Sequence, residues 1–147
     1  MAAGTAAIVN VLGGERVLGV SPTSMAEWGW MILEGMPVQS ADALRETMAL
    51  PEAVLAQLLG VSEKTLFMAR AGAGRLGSLA SHRLFCVARI VALAILVLEA
   101  EHAAIHWLMH PQYALGVRSP VSLLKTEAGR NVVEKLLLQI GRNVGAH

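Results

Sequence analysis

The chain has 147 residues, of which 54% are hydrophobic and 16% charged, with a formal net charge of +1. A soluble monomer usually carries about 25% charged residues. This balance therefore predicts surplus apolar surface covered by other chains, in a homodimer or a higher hetero-oligomer. The single cysteine, Cys86, rules out an internal disulfide and suits a reducing compartment, where it acts as a small buried hydrophobe. No basic-then-apolar leader opens the sequence, and the longest uncharged apolar run, Ile90 to Leu98, has nine residues against the ~20 that span a bilayer. A cytoplasmic protein with no membrane partner is expected. Charge is uneven: Met1 to Glu63 holds two basic and seven acidic residues, whereas Lys64 to Leu98 holds five basic residues and no acidic one. That basic block suits nucleic acid or an acidic protein surface, or equally is a few solvated arginines on a helix.

In chain order, residues 1–22 are Ala- and Gly-rich and are expected to form a flexible N-terminal segment. Ser24 caps a helix over Met25–Glu34 that stops at Gly35, with Pro37 just beyond and with Trp28, Met31 and Ile32 on its buried face. Ser40 caps a second helix over Ala41–Met48. A third starts at Pro51 and runs to Leu59, ending at Gly60. Small Ala56, bend-permitting Gly60 and the aliphatic Leu55, Leu59, Val61, Leu66 and Ala69 carry the spacing of a helix-turn-helix. Its second helix, Glu63–Ala71, is capped by Ser62. The expected class is all-α: a helical lobe over residues 23–80, then a long apolar helix from about Ser81 to Ala100 and a small C-terminal lobe within residues 81–147.

The DNA signals in this lobe oppose one another. Ser62, Lys64, Thr65, Arg70 and Arg75 are the candidate DNA contacts, with Lys64, Arg70 and Arg75 suited to phosphates. Yet the exposed face of the second helix should carry Glu63, Lys64, Phe67, Met68 and Ala71, and Phe67 and Met68 cannot read base edges by hydrogen bonding. Gly72, Gly74 and Gly77 spell G-x-G-x-x-G, but they follow a helix with no strand before them. They read as a flexible interhelical loop, not a dinucleotide site. His102, His106 and His110 recur every four residues along one stripe, with no cysteine and no acidic partner other than nearby Glu99 and Glu101, so no metal is assigned. No nucleophile stands beside a base, and Ser62, Ser78, Ser81 and Ser119 are explained as turn or cap residues. No enzyme activity and no cofactor are expected.

From Trp107 to Val144 the punctuation is dense. His110-Pro111 ends a helix, Ala114-Leu115-Gly116 makes a turn that admits a positive φ at the glycine, and Ser119-Pro120 starts a short helical turn over Val121–Lys125. Thr126 caps a last helix. There Val132, Val133, Leu136, Leu137 and Ile140 form an apolar face, with Glu134 and Lys135 toward water. That face is expected to exceed what its own lobe can cover.

At these residues the chain resembles the toxin-binding C-terminal domain of Xre/MbcA/ParS-type antitoxins. The resemblance rests on Trp107-Leu108, Pro111, Ala114-Leu115-Gly116, Ser119-Pro120 with Leu123-Leu124, Thr126 with Gly129, and Val133, Leu136, Leu137 and Ile140. The phrase Glu34-Gly35-Met36-Pro37-Val38, and Leu58, Leu59, Gly60, Thr65, Leu66, Arg75, Leu76, Ser81, Arg83 and Leu84, extend it to the family's Xre-like helix-turn-helix, over roughly residues 34–144. The family usually ends on a glycine-valine-aromatic tail, where this chain has Asn143-Val144-Gly145-Ala146-His147. The resemblance implies an antitoxin that occludes a cognate toxin, commonly a RES-domain enzyme that consumes NAD. Arg118, Arg130, Val133, Leu137, Ile140, Arg142, Asn143 and Val144 are then its toxin-binding candidates, with the segment after Gly141 as the obstruction. Operator DNA, bound in autorepression, would be a second partner. The alternative is a DNA-binding repressor with no toxin partner.

Overall fold

The computed structural model describes residues 3–145. Its helices are α1 (Thr5–Val11), α2 (Glu15–Leu18), α3 (Met25–Glu34), α4 (Val38–Met48), α5 (Glu52–Leu59), α6 (Glu63–Ala71), α7 (Ser78–Leu98), α8 (Glu101–Met109), α9 (Pro120–Leu123) and α10 (Glu127–Gly145), with a 3₁₀ turn at Tyr113–Leu115. The all-α class holds. The chain forms two compact units, one over Gly4–Ala88 and one from Arg89 onward that also takes in Ala3. α7 has the length and apolarity to cross a bilayer, but most of it is buried in the fold.

In the unit over Gly4–Ala88, cap chemistry sets several boundaries. Ser24 accepts the Glu27 N–H and starts α3, and Ser62 accepts the Thr65 N–H and starts α6. Gly35 and Gly60 end α3 and α5 at positive φ. Two expectations about helix bounds fail. The N-terminal segment is helical, because Ile8, Val9, Val11, Leu12 and Leu18 are buried and tertiary burial outweighs weak local propensity. Ser40 does not cap α4. That helix begins at Val38, and the buried Ser40 hydroxyl donates back to the Pro37 carbonyl.

The Gly72–Gly77 segment is pinned, contrary to the expected flexible loop. The Leu76 N–H donates to the Met36 carbonyl at 2.9 Å and the Val38 N–H to the Gly74 carbonyl at 2.8 Å. Pro37 and Arg75 pair as a single antiparallel bridge. Ser81, fully buried one turn into α7, accepts the Met36 N–H at 2.8 Å, so it is an internal tie and no cap. Arg83 from the same turn of α7 covers Gly60 and donates to the Leu59 carbonyl at 3.4 Å. Trp28 and Phe85 meet with ring centroids 5.0 Å apart.

In the unit from Arg89 onward, His110 takes an extended conformation and stops α8 before Pro111, Gly116 has φ +68°, and Pro120 occupies the first turn of α9. Thr126 accepts the Gly129 N–H at 3.0 Å. Gly129 is required sterically: a Cβ there would collide with the Leu123 carbonyl oxygen. That contact lets the end of α9 abut the start of α10.

Ser81→Ala should cost about 1–3 kcal/mol, the penalty for leaving the buried Met36 N–H unpaired. Gly129→Ala should cost a similar ~2 kcal/mol through forced displacement of the α9 end. Urea denaturation monitored by circular dichroism measures both.

Candidate functional site

Two surfaces bear on function, one in each unit. The first is the helix-turn-helix of α5 and α6. Leu55, Leu59 and Leu66 are fully buried and Ala56 nearly so, which fills the wedge between the helices as the spacing predicted. The outward face of α6 also matches, with Glu63, Lys64 and Ala71 exposed and Phe67 and Met68 at 66% and 58% exposure.

The cationic side chains behave differently from expectation. Arg70 does not reach outward to phosphate. Its guanidinium bridges Asp42 of α4 at 2.7 Å and Glu52 of α5 at 2.8 Å, so one planar fork joins three helices. The hydrogen bonds to Asp42, then to Glu52, push its pKa further above the ordinary arginine value. Arg75 is also engaged, donating to the Gly35 carbonyl at 2.6 Å. Ser62 and Thr65 form the α6 cap, their hydroxyls 2.9 Å apart. Of the five DNA candidates, Lys64 is the exposed cation left without such a task in this fold.

The second surface is the C-terminal helix. Val133 and Leu137 are fully buried and are corrected from partner contacts to core, because the inward side of α10 closes its own unit. Arg130 is likewise structural, donating to the Leu124 carbonyl at 3.1 Å. Glu134 pairs with Arg89 at 3.3 Å and does not simply face water. What remains outward is displaced around the helix. Val132 is 50% exposed, Leu136 and Ile140 are half-buried, and Asn143 is exposed, all on one stripe at helical spacing. Lys135 and Arg142, also exposed, form a neighbouring basic row seven residues apart. α10 continues past Gly141, so Arg142 and Asn143 sit on the helix and not on a trailing tail. Arg118 is exposed on the preceding turn. The side chain of Val144, and Ala146-His147, lie outside the described residues.

Residues 31–89 match the model of the antitoxin Xre-like helix-turn-helix domain, and residues 92–141 match that of the antitoxin Xre/MbcA/ParS C-terminal toxin-binding domain. The chain carries both domains of an Xre/MbcA/ParS antitoxin. The toxin-binding domain contains all of the α8–α9 region and most of α10, and it implies a cognate toxin as partner. No curated protein matches the chain significantly.

Within the toxin-binding domain, sequence reasoning missed Tyr113 and Val117, exposed to 93% and 60%. An aromatic residue within a turn bounded by Pro111 and Gly116 is the signal the sequence carries for it. The histidine stripe ends in a stack: His106 and His110 lie with ring centroids 3.9 Å apart, and the His110 Nδ1–H donates to the His106 carbonyl at 2.7 Å. Among the described residues no group of three or more metal-ligating side chains converges. In the other unit the apolar surplus shows on α3, where Met25, Trp30 and Leu33 are exposed beside a groove of ≈ 490 Å³ lined in part by Val20, Pro22 and Met31.

Arg70→Ala should lower stability by about 1 kcal/mol, a modest value because the network is partly solvated. Arg70→Lys should rescue little of it, since an ammonium cannot span two carboxylates as a fork. Guanidine-free urea melts at low and high salt measure this, and the wild-type advantage should shrink with salt.

Proposed function

We propose that this chain is the antitoxin of a type II toxin-antitoxin pair, acting in the cytoplasm as a binding module and not an enzyme, and that it neutralises a RES-type NAD-consuming toxin by occlusion. The observation that carries this reading is the match of residues 92–141 to a toxin-binding domain whose last helix keeps an apolar stripe, Val132, Leu136 and Ile140, partly open to solvent. Burying the remaining exposed area of three such side chains yields a few kcal/mol before the cost of association. The rest of the affinity must come from anchors elsewhere on the domain and from charge. Arg118, Lys135 and Arg142 supply positive charge that suits an acidic rim around an enzyme's opening and steers the encounter. Arg142 and Asn143, at the far end of α10, are the groups placed to obstruct. A homodimer or hetero-oligomer would cover the apolar surface on α3.

Removing Arg142 to His147 should leave a folded protein that protects cells poorly, because Val133, Leu137 and the Thr126 cap all precede the cut. Co-expression with the proposed toxin reads this out, and growth equal to that with the full chain would reject the obstructing role.

A second activity, autorepression of its own operon, is supported by the match of residues 31–89 to an Xre-like helix-turn-helix. With Arg70 and Arg75 committed inside the fold, Lys64 is left to hold phosphate, and Phe67-Met68 offers no base-reading donors. Binding would be weak and dominated by backbone contacts. In gel shifts with upstream DNA, Lys64→Ala should reduce affinity and flatten the log–log salt dependence by about 0.9. Arg70→Ala should leave both unchanged.

A further inference from the structure

The turn between α8 and α9 is built more firmly than a connector needs. The Gln112 N–H donates to the Arg118 carbonyl at 3.1 Å, and the Gln112 carbonyl accepts from the N–H groups of Leu115 and Val117, both at 3.0 Å. The Gln112 side chain donates to the carbonyls of Trp107 at 3.0 Å and His110 at 3.1 Å, which fastens the turn to the end of α8. Leu115 is its buried foot. Inside this frame Val117 has φ +61°, a region that β-branched residues seldom enter because Cβ crowds the backbone. Strain of this kind persists only where the surroundings over-determine it, and it concentrates at ligand clamps.

The consequence is a rigid turn that holds a tyrosine and a valine out in water, with the exposed Arg118 beside them. Tyrosine and arginine are the side chains enriched at the energetic centres of interfaces, and tyrosine brings large area for few rotatable bonds. Pre-ordering removes the entropy that a mobile loop would lose on binding. The turn lies within the span matched as toxin-binding, which identifies the occupant.

We infer that Tyr113 and Val117 form the anchor of the toxin interface, with the phenol entering an apolar pocket on the toxin and Arg118 meeting an acidic group at its rim. This inference rests on the antitoxin reading above. It divides the work of the domain: the Gln112–Arg118 turn grips, and the end of α10 obstructs.

The test is titration calorimetry of the full chain with a purified RES-domain toxin as the proposed partner, together with thermal melts and sedimentation. Tyr113→Ala should weaken binding about 30-fold, the scale of an interface anchor, with an unchanged melting temperature. Tyr113→Phe should retain most of the affinity. Val117→Asn, which tolerates the left-handed conformation, should melt no lower than wild type yet bind about tenfold more weakly. Wild-type affinity in both Tyr113→Ala and Val117→Asn would overturn the anchor while leaving the antitoxin reading intact. Failure of the wild-type chain itself to bind would overturn both. If Tyr113→Ala abolished self-association and spared toxin binding, the turn would be a contact between copies of this chain and the inference would fall.

Discussion

Arg70 held between Asp42 and Glu52 is the interaction on which the reading of the N-terminal unit turns. Its energy is modest, because all three side chains retain some solvent. Its geometric effect is larger. One guanidinium fixes α4 and α5 against α6, so the helix that would enter a DNA groove gives one of its two cations to its own scaffold. What α6 then presents is Phe67 and Met68 flanked by Glu63 and Lys64, a nearly neutral and partly apolar face. A helix-turn-helix is a way of packing helices before it is a way of reading DNA, and here the packing features are intact while the reading features are thinned.

The same separation of scaffold from contact surface recurs in the toxin-binding domain. Val133 and Leu137 close the core, Gly129 lets α9 and α10 meet, and Arg130 holds the α9 end. Val133, Leu137 and Gly129 belong to the family pattern, and their task is to build a platform. The groups left for a partner lie largely beside the pattern, in Val132, the basic row of Lys135 and Arg142, and the strained turn at Val117, with Leu136 and Ile140 of the pattern half-buried along the same edge of α10. A domain organised in this way can keep its fold while its contact residues change to suit a particular toxin.

The Gly35–Val38 stretch shows how a few long-range polar ties place such surfaces. Backbone bonds to Gly74 and Leu76, the Arg75 guanidinium on the Gly35 carbonyl and the Ser81 hydroxyl on the Met36 N–H converge there. They satisfy backbone groups that the end of α3 and the start of α4 would otherwise bury unpaired. The following loop is thereby held to one path into α7.

What the sequence determined by itself was whatever depends on neighbours three to five residues away. Ser24, Ser62 and Thr126 start helices because a side-chain oxygen meets an N–H in the next turn, and Gly35, Gly60 and Gly116 stop or turn the chain because they accept a positive φ. The helix-turn-helix and the C-terminal punctuation were legible for that reason. Tertiary structure alone decided matters that depend on groups distant in sequence: Arg70 finds partners 28 and 18 residues away, and Ser81 finds one 45 away. It also decided that Val133 is buried while adjacent Val132 is not, that residues 5–11 and 15–18 become helical through burial, and that Val117 is forced to a positive φ by hydrogen bonds across its turn. Periodicity can group side chains on one face of a helix, but only packing determines which part of that face remains for a partner.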